Sequence, residues 1–435
     1  MARLIVNGGR PLSGAISPSA NKNAVLPVLC ATLLTREVVT LRNVPDITDV
    51  RKILTFFESL GSAVEADFSS GIVRLTHGRD LEAKAARLPV GMRSSIMLIP
   101  PLLQRFGRAL IEDDPKGCTL GVREIDPHIE VFRAFAAEVS SEARGIAIAA
   151  PRIFRSARHW LDYASVTTTQ NFLMCAVVAG GESQLVNATC EPHVQEFCHF
   201  LRLMGAQIDG LGASTLVVDG RAELGGADYS FAEDYHEIAT FLALGAITGG
   251  RVQVKNGAPG QFQLLDRTFA KFGVEVNHLG GWSRVGGGAA LKVQPSFTPH
   301  LPQKVEAAPW PYVPADLLPI FIALGVRAEG SVLFWNKVYE GGPGLDLGTD
   351  QVRRTSRDLR PAPGGHLRWP AADPGERGKP LHHPGGHRAF DDRRLDRRPL
   401  GDRQCRADRP RPSALRRKPH CPGRRRGLGR GGVTM

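Results

Sequence analysis

The sequence predicts an α/β protein made of α+β repeats of about 70 residues, with three repeats to a domain. The main observation is one pattern that recurs along the chain: an apolar helix, a short turn, a β-rich strand and an asparagine. An amphipathic helix that ends in glycine follows most copies. The composition supports the prediction, because 42% hydrophobic and 23% charged residues among 435 are globular values and the length suits two domains.

The apolar helix and its strand are the first repeated element. Each copy is a continuous apolar run, which is typical of a helix buried on all sides, followed by a short strand. An asparagine ends the strand in all four strong copies, at Asn43, Asn187, Asn256 and Asn336. The strong copies are 23–46, 171–192, 237–259 and 316–340, and a looser fifth copy is 93–115.

The amphipathic helix is the second repeated element. Its apolar residues recur at i, i+3 or i+4, and i+7, and a glycine stands where a helix C-cap belongs. The looser copy, 129–140, has the apolar period without the glycine. The three regular copies are 53–67, 194–209 and 263–277, with glycines at Gly61, Gly205 and Gly273.

The net charge of +12 is confined to the end of the chain. Residues 351–435 contain 23 basic and 8 acidic side chains, which leaves 32 basic and 35 acidic in residues 1–350. The repeats are therefore slightly acidic, and we expect no nucleic-acid partner for them.

The seven cysteines are odd in number and scattered, without a CxxC pair, which argues against a disulfide framework and a structural zinc site. The N-terminus has no long apolar segment, and no run approaches the ~18–20 apolar residues of a membrane span. We expect a cytoplasmic protein without a metal or organic cofactor.

The segment 343–435 breaks the repeat. After Glu340 no further helix, glycine and strand follow, and residues 351–435 contain 23 Gly and Pro but no Ile, Tyr or Asn. Three explanations compete: a basic tail that binds nucleic acid, a disordered extension without function, and out-of-frame translation of a GC-rich gene. The abrupt change inside a unit, one repeat short of six, favours the third.

Two cations stand at corresponding helix starts. Lys22 and Asn23 immediately precede the apolar run of the first copy, and Arg93 begins the looser copy. A helix N-terminus attracts anions, and a cation there suits a phosphate or carboxylate. An ordinary Asn N-cap beside a solvated Lys, and a surface Arg, remain the alternatives.

A glycine-bracketed loop carries the best candidate for a reactive thiol. Cys118 lies between Lys116 and Arg123, and neighbouring cations lower the pKa of a thiol. Such a thiol can act as a proton donor or nucleophile, with Asp126 and His128 nearby in sequence to bind a polar ligand. A loop cysteine without a role is the alternative.

Together these motifs resemble the enolpyruvyl transferase family, whose members include the EPSP synthases. The matching stretches are SANKNAVLPVL, Met92 to Ser95, GCTLGVREIDPHI and VPADLLP, and the resemblance runs from residue 1 to about 342. It implies two domains, each an inside-out α/β barrel of three βαβαββ units. We expect residues 21–232 to form one domain and residues 1–20 with 233–342 the other, incomplete one.

The resemblance also implies an activity. The family moves the enolpyruvyl group of phosphoenolpyruvate onto a hydroxyl group and releases phosphate. The motifs are most similar to those of members that act on UDP-N-acetylglucosamine in peptidoglycan and cell-wall synthesis. Alternatives are another acceptor nucleotide such as UMP, in nucleoside-antibiotic synthesis, and a non-catalytic nucleotide- or nucleic-acid-binding protein. We expect a monomer.

The resemblance assigns roles residue by residue. Lys22, Arg93 and Arg123 are expected to bind phosphoenolpyruvate, Cys118 to act at its methylene carbon, and Asp316 to act as base at the acceptor hydroxyl. The residues expected to contact the acceptor are Asn23, Arg123, Asp126, His128, Ser165, Val166 and Asp316.

Two positions depart from the family pattern. Tyr163 stands where the peptidoglycan enzymes carry a lysine, and the turn after Glu340 has glycines where the family has an arginine. Two further arginines of the sixth unit have no match in the tail. Each lost charge-assisted contact costs on the order of 2–4 kcal/mol of transition-state stabilisation, so we expect the printed chain to be inactive or poorly folded.

Overall fold

A computed structural model describes residues 5–81, 88–89, 92–112, 124–142, 145–150, 154–221, 223–288, 290–298 and 301–338. All of them belong to one compact unit. Their buried apolar side chains form two hydrophobic cores, one drawn from Ala20 to Phe231 and the other from Tyr235 to Phe334. No helix in these ranges is long and apolar enough to span a membrane.

The regular elements follow one another in the order that the repeat predicts. The first are β1 (Gly14–Ile16), α1 (Lys22–Thr32), β2 (Val39–Arg42), α2 (Thr48–Ser59), β3 (Ala63–Asp67) and β4 (Ile72–Thr76). Next are a 3₁₀ helix (Arg93–Leu98), α3 (Ile99–Phe106), β5 (Arg108–Glu112), α4 (Asp126–Ala134), β6 (Glu138–Glu142) and β7 (Gly145–Ala149). These are followed by β8 (Arg158–Trp160), α5 (Val166–Ala176), β9 (Gly181–Val186), α6 (Pro192–Leu203), β10 (Gln207–Asp209), β11 (Thr215–Gly220) and β12 (Ala227–Ser230).

The second core is built from the remaining elements, and β1 pairs with one of their strands, β13. They are α7 (Tyr235–Thr248), β13 (Val252–Lys255), a 3₁₀ helix (Pro259–Phe262), α8 (Gln263–Ala270), β14 (Val276–Leu279) and β15 (Trp282–Val285). The last are β16 (Gln303–Ala307), a 3₁₀ turn (Ala315–Leu317), α9 (Leu318–Arg327) and β17 (Val332–Asn336).

Three four-stranded sheets share one strand order. The orders are β12-β2-β4-β3, β8-β9-β11-β10 and β1-β13-β15-β14. In each sheet the first two strands are parallel and the others antiparallel, which is the topology of a βαβαββ unit. The first strand of a sheet can come from far along the chain, since Ala227 pairs with Val39 and Gly14 pairs with Val252.

The apolar helices α1 and α5 are buried as the sequence predicts, whereas α7 and α9 are buried over only part of their surface. Residues 24–32 of α1 and 168–176 of α5 are buried without exception, whereas the amphipathic helix α2 buries one face. The looser copy differs, because it begins as a 3₁₀ helix and becomes α-helical only at Ile99. Pro100 and Pro101 explain this, because they lack the N–H groups that an α-helix continuing back from them needs.

The recurring asparagines and glycines have identifiable functions. Asn43 and Asn187 adopt left-handed φ angles of 61° and 62°, and each side-chain amide donates to a carbonyl just beyond the adjacent parallel strand. The predicted C-cap glycines are also left-handed. The looser copy places Ala136 in this conformation instead, at φ 66°, a strained choice for a residue with a Cβ.

Candidate functional site

The start of α5 connects the helix starts on which the predicted site residues lie. The side-chain amide of Gln170 donates to the backbone carbonyl of Asn23 at 3.3 Å. The amide of the neighbouring Asn171 donates to the carbonyl of Ile96, in the 3₁₀ helix that begins at Arg93. The first turns of α1 and of this 3₁₀ helix are therefore held against α5.

His128 joins this group from α4. Its side chain is 2% exposed, and its Nδ1 lies 2.9 Å from the amide nitrogen of Asn171. Because that nitrogen also donates to a carbonyl oxygen, Nδ1 is the acceptor and the proton of a neutral ring is on Nε2. Nε2 lies 3.4 and 3.5 Å from the hydroxyl oxygens of Thr167 and Thr168.

Three further predicted acceptor residues lie around His128. Ser165 precedes α5, and its hydroxyl is 2.8 Å from that of Thr168. Val166 is the first residue of α5, and the exposed Asp126 is the first residue of α4. The structure thus brings the starts of α4 and α5 together as one polar surface.

Lys22 begins α1 and forms an ion pair with α2. Its ammonium nitrogen is 2.5 Å from Oδ2 of Asp49, and 54% of the Lys22 side chain is exposed. A cation held at a helix start, where backbone N–H groups lack partners, is suited to an anion. A bound phosphate would share this ammonium with Asp49.

Asp316 lies beside the first turn of α7. It is exposed on the 3₁₀ turn Ala315–Leu317, against which α7 packs. Burial, followed by the charges of Glu191, Asp234 and Asp316, raises the pKa of Tyr235 in the first turn of α7 well above its usual value. Tyr235 therefore remains a hydroxyl donor.

Sequence reasoning missed a buried polar group beside α7. His193 is 4% exposed, burial lowers its pKa to about 3, and within the described ranges neither ring nitrogen has a hydrogen-bond partner. Oε1 of Glu191 accepts from the backbone N–H of Trp310 at 3.4 Å. His193 and Tyr235 line a cavity of about 290 Å³ with Asn21, Glu196 and Glu233. No spacing in the sequence signals this group, because its members come from three distant segments.

The comparisons with known proteins identify the family. Residues 6–340 match the family described as EPSP synthase (3-phosphoshikimate 1-carboxyvinyltransferase). The chain belongs to the EPSP synthase family. The resemblance stated from the sequence motifs is therefore confirmed.

This EPSP synthase family chain has relatives with a named activity. UDP-N-acetylglucosamine 1-carboxyvinyltransferase from Borreliella burgdorferi is 34% identical over 340 residues, 78% of this chain and 79% of that protein. The enzyme of the same name from Bradyrhizobium diazoefficiens is 36% identical over 338 residues, 77% of each chain.

Solved structures bear out the fold of this EPSP synthase family chain. The enolpyruvyl transferase NikO from Streptomyces tendae has a TM-score of 0.67 at 20% identity and covers 81% of both chains. EPSP synthase from Acinetobacter baumannii has a TM-score of 0.57 at 17% identity and covers 76% of this chain and 75% of that one. At these identities the likeness concerns the fold alone.

Several predictions for this EPSP synthase family chain fall outside the described residues. Cys118, Arg123, the side chain of Arg93, Glu340 and the segment 343–435 are among them. Within the described ranges, no three His, Cys, Asp or Glu side chains are grouped to hold a metal ion.

Proposed function

We propose that this protein is an enolpyruvyl transferase that moves the enolpyruvyl group of phosphoenolpyruvate onto a hydroxyl of UDP-N-acetylglucosamine. The observation that carries the proposal is the sequence identity of 34–36% between this chain and two enzymes with that name, over about four-fifths of their length. The contacts of α5 with the starts of α1 and α4, and with the 3₁₀ helix that begins at Arg93, support it. The protein acts as a cytoplasmic monomer.

The acceptor binds at the starts of α4 and α5. Asp126, Ser165 and Val166 offer a carboxylate, a hydroxyl and a backbone N–H group, which suit the hydrogen-bonding edge of a nucleotide base. His128 supports this surface through Asn171. Asn23, held through its carbonyl by Gln170, contacts the sugar.

Phosphoenolpyruvate binds at the start of α1. Lys22 holds the phosphate with Arg93 and Arg123, and fixed positive charges stabilise the anion that develops there. Asp316 takes the proton of the acceptor hydroxyl, whose oxygen bonds to C2 of phosphoenolpyruvate. Cys118 delivers a proton to the methylene carbon or forms a covalent adduct. The tetrahedral phospho-ketal then loses phosphate from C2 and a proton from the methyl carbon, which the Cys118 thiolate takes back, and the double bond is restored.

The active site lies between two domains, residues 21–232 and residues 1–20 with 233–342, each an inside-out α/β barrel. The two hydrophobic cores support this division, because the residues of the first core end at Phe231 and those of the second begin at Tyr235. The pairing of β1 with β13 supports it too, since the N-terminal strand joins a sheet of the second core.

The second domain needs a third unit, and the sequence of residues 343–435 lacks the repeat pattern of such a unit. Side chains of α7 and α9 support this view, because Phe241, Ile247, Ile320 and Ile322 are only partly buried and Leu244 is 39% exposed. The apolar runs of α1 and α5 are covered on all sides. A third unit would cover α7 and α9 and supply the arginines absent from the tail.

The test is phosphate release from phosphoenolpyruvate with UDP-N-acetylglucosamine or UMP as acceptor. The assay compares the printed chain with residues 1–342 joined to the translation of the gene in its other frames. We expect turnover with UDP-N-acetylglucosamine in the rejoined protein, little in the printed chain, and a large loss in Asp316→Asn. Turnover with UMP alone would refute the acceptor. A chain that shows no turnover but binds random DNA would support a non-catalytic protein, provided that both salt and deletion of 343–435 abolish the binding.

A further inference from the structure

The side chain of Asn21 links the two cores at the edge of the proposed active site. Asn21 is 3% exposed, and its Oδ1 accepts from the backbone N–H of Asn23 at 2.7 Å, which caps α1. Its Nδ2 donates to Oδ1 of Asp234 at 3.0 Å. Asp234 in turn caps α7, because the same oxygen accepts from the N–H of His236 at 2.8 Å. One amide therefore joins the caps of two helices.

Two backbone segments, one at Ser19 and Ala20 and the other at Glu233 and Asp234, lie side by side at this link. The N–H of Asp234 donates to the carbonyl of Ser19 at 2.8 Å, and Ala20 forms a β-bridge with Glu233. The hydroxyl of Ser19 donates to Glu237 in α7 at 3.1 Å. These contacts bring the segments together, and the Asn21 side chain extends them to the second residue of each helix, directly to Asn23 of α1 and through Asp234 to His236 of α7.

We propose that Asn21 is a positioning residue that sets α1, with Lys22 and Asn23, relative to α7 and the turn of Asp316. This inference rests on the proposed function, in which UDP-N-acetylglucosamine contacts both Asn23 and Asp316. The link between Asn21 and Asp234 is a hydrogen bond to a carboxylate with a buried donor, so it is stronger than a neutral surface bond. Losing it lets the two halves of the acceptor site move apart.

The chemistry of asparagine and aspartate permits a swap test. Both residues are good N-caps, so exchanging them preserves the caps of α1 and α7. Asn21→Asp alone sets two carboxylates against each other. Adding Asp234→Asn restores one amide and one carboxylate in the opposite order. Asn21→Ser keeps a capping oxygen but removes the amide donor.

The experiment measures the affinity for UDP-N-acetylglucosamine by calorimetry, in the full 435-residue chain or, where that chain does not bind, in the rejoined protein, with the melting temperature of each variant. We expect roughly tenfold weaker binding for Asn21→Asp, from the loss of a charge-assisted bond. Asn21→Ser should also weaken binding several-fold with a melting temperature near that of the wild type. The double swap should return to within about threefold of wild type.

Thr248→Val is the matched control. The hydroxyl of Thr248 accepts from the N–H of Leu12 at 3.2 Å, so it also links the N-terminal segment to α7, but at the far end of the helix. The affinity of Thr248→Val for UDP-N-acetylglucosamine should equal that of the wild type. Unchanged binding in Asn21→Ser, or a double swap as weak as Asn21→Asp, refutes the positioning role. If neither the 435-residue wild-type chain nor the rejoined protein binds UDP-N-acetylglucosamine, the proposed function itself is refuted.

Discussion

Acid lability should arise in part from the buried imidazole of His77, in addition to that of His193. The ring is fully buried, with Nε2 2.9 Å from the hydroxyl of Thr32 and Nδ1 2.8 Å from that of Ser62. Thr32 donates its own proton to the carbonyl of Leu29, so it accepts from Nε2, and in the neutral ring Nδ1 accepts from Ser62. Burial, and then the charge of Arg105, lowers the pKa of His77 to about 3.

The pH dependence follows from the direction of this shift. A pKa lowered in the folded state means that the unfolded chain binds the proton first, so stability is lost as pH falls below about 6.5. A pH of 5 lies about 1.5 units below the pKa of this histidine in the unfolded chain, which is therefore protonated, while folded His77 is still neutral. At 1.36 kcal/mol per unit, His77 alone should cost about 2 kcal/mol of unfolding free energy between pH 7 and pH 5.

The assay is urea unfolding at pH 7 and pH 5 for the wild type and His77→Gln. Glutamine can hydrogen-bond to the same hydroxyls but does not titrate, so the variant should lose about 2 kcal/mol less than the wild type on acidification. His199→Gln, at an exposed site, is the control and should follow the wild type. Equal losses in wild type and His77→Gln would refute the reasoning.

Three further predictions concern the backbone and the thiol. Ala136→Gly should raise the unfolding free energy by about 1 kcal/mol, because glycine adopts the left-handed conformation without strain. Ala134→Gly, at the end of α4, is the control and should lower the unfolding free energy by about as much. The urea midpoints of both variants measure these changes. Gly220→Ala should cost about 3 kcal/mol, because the added Cβ would lie 2.0 Å from a backbone carbonyl oxygen, while Gly260→Ala, in open space, should be neutral in the same assay. Cys118 should be the thiol that fosfomycin alkylates in this family, so intact-mass spectrometry should find one adduct on the full chain and none on Cys118→Ala. An adduct that persists in that variant would overturn the assignment.

The candidate site was predictable in its parts. Lys22 and Arg93 stand at the starts of corresponding helices in successive repeats, and His128 and Ser165 both lie beside Thr168. The roles that the resemblance gives these residues stay predictions. Its scaffold was not predictable. Asn171 contacts both His128 and the carbonyl of Ile96, yet in the sequence it is only a polar residue in an apolar run.

The sequence by itself determined the repeat, the helices and strands of its regular copies and the glycines that end the amphipathic helices, because these follow from energies between residues a few positions apart. Only the tertiary structure decided which strand completes each sheet, as when Ala227 pairs with Val39, and which helix end accepts a left-handed alanine, Ala136. It also decided that Asn21 reaches Asp234 and that His77 is neutral. Such choices depend on the burial and charge of groups that meet only after the chain has folded, and no local pattern records them.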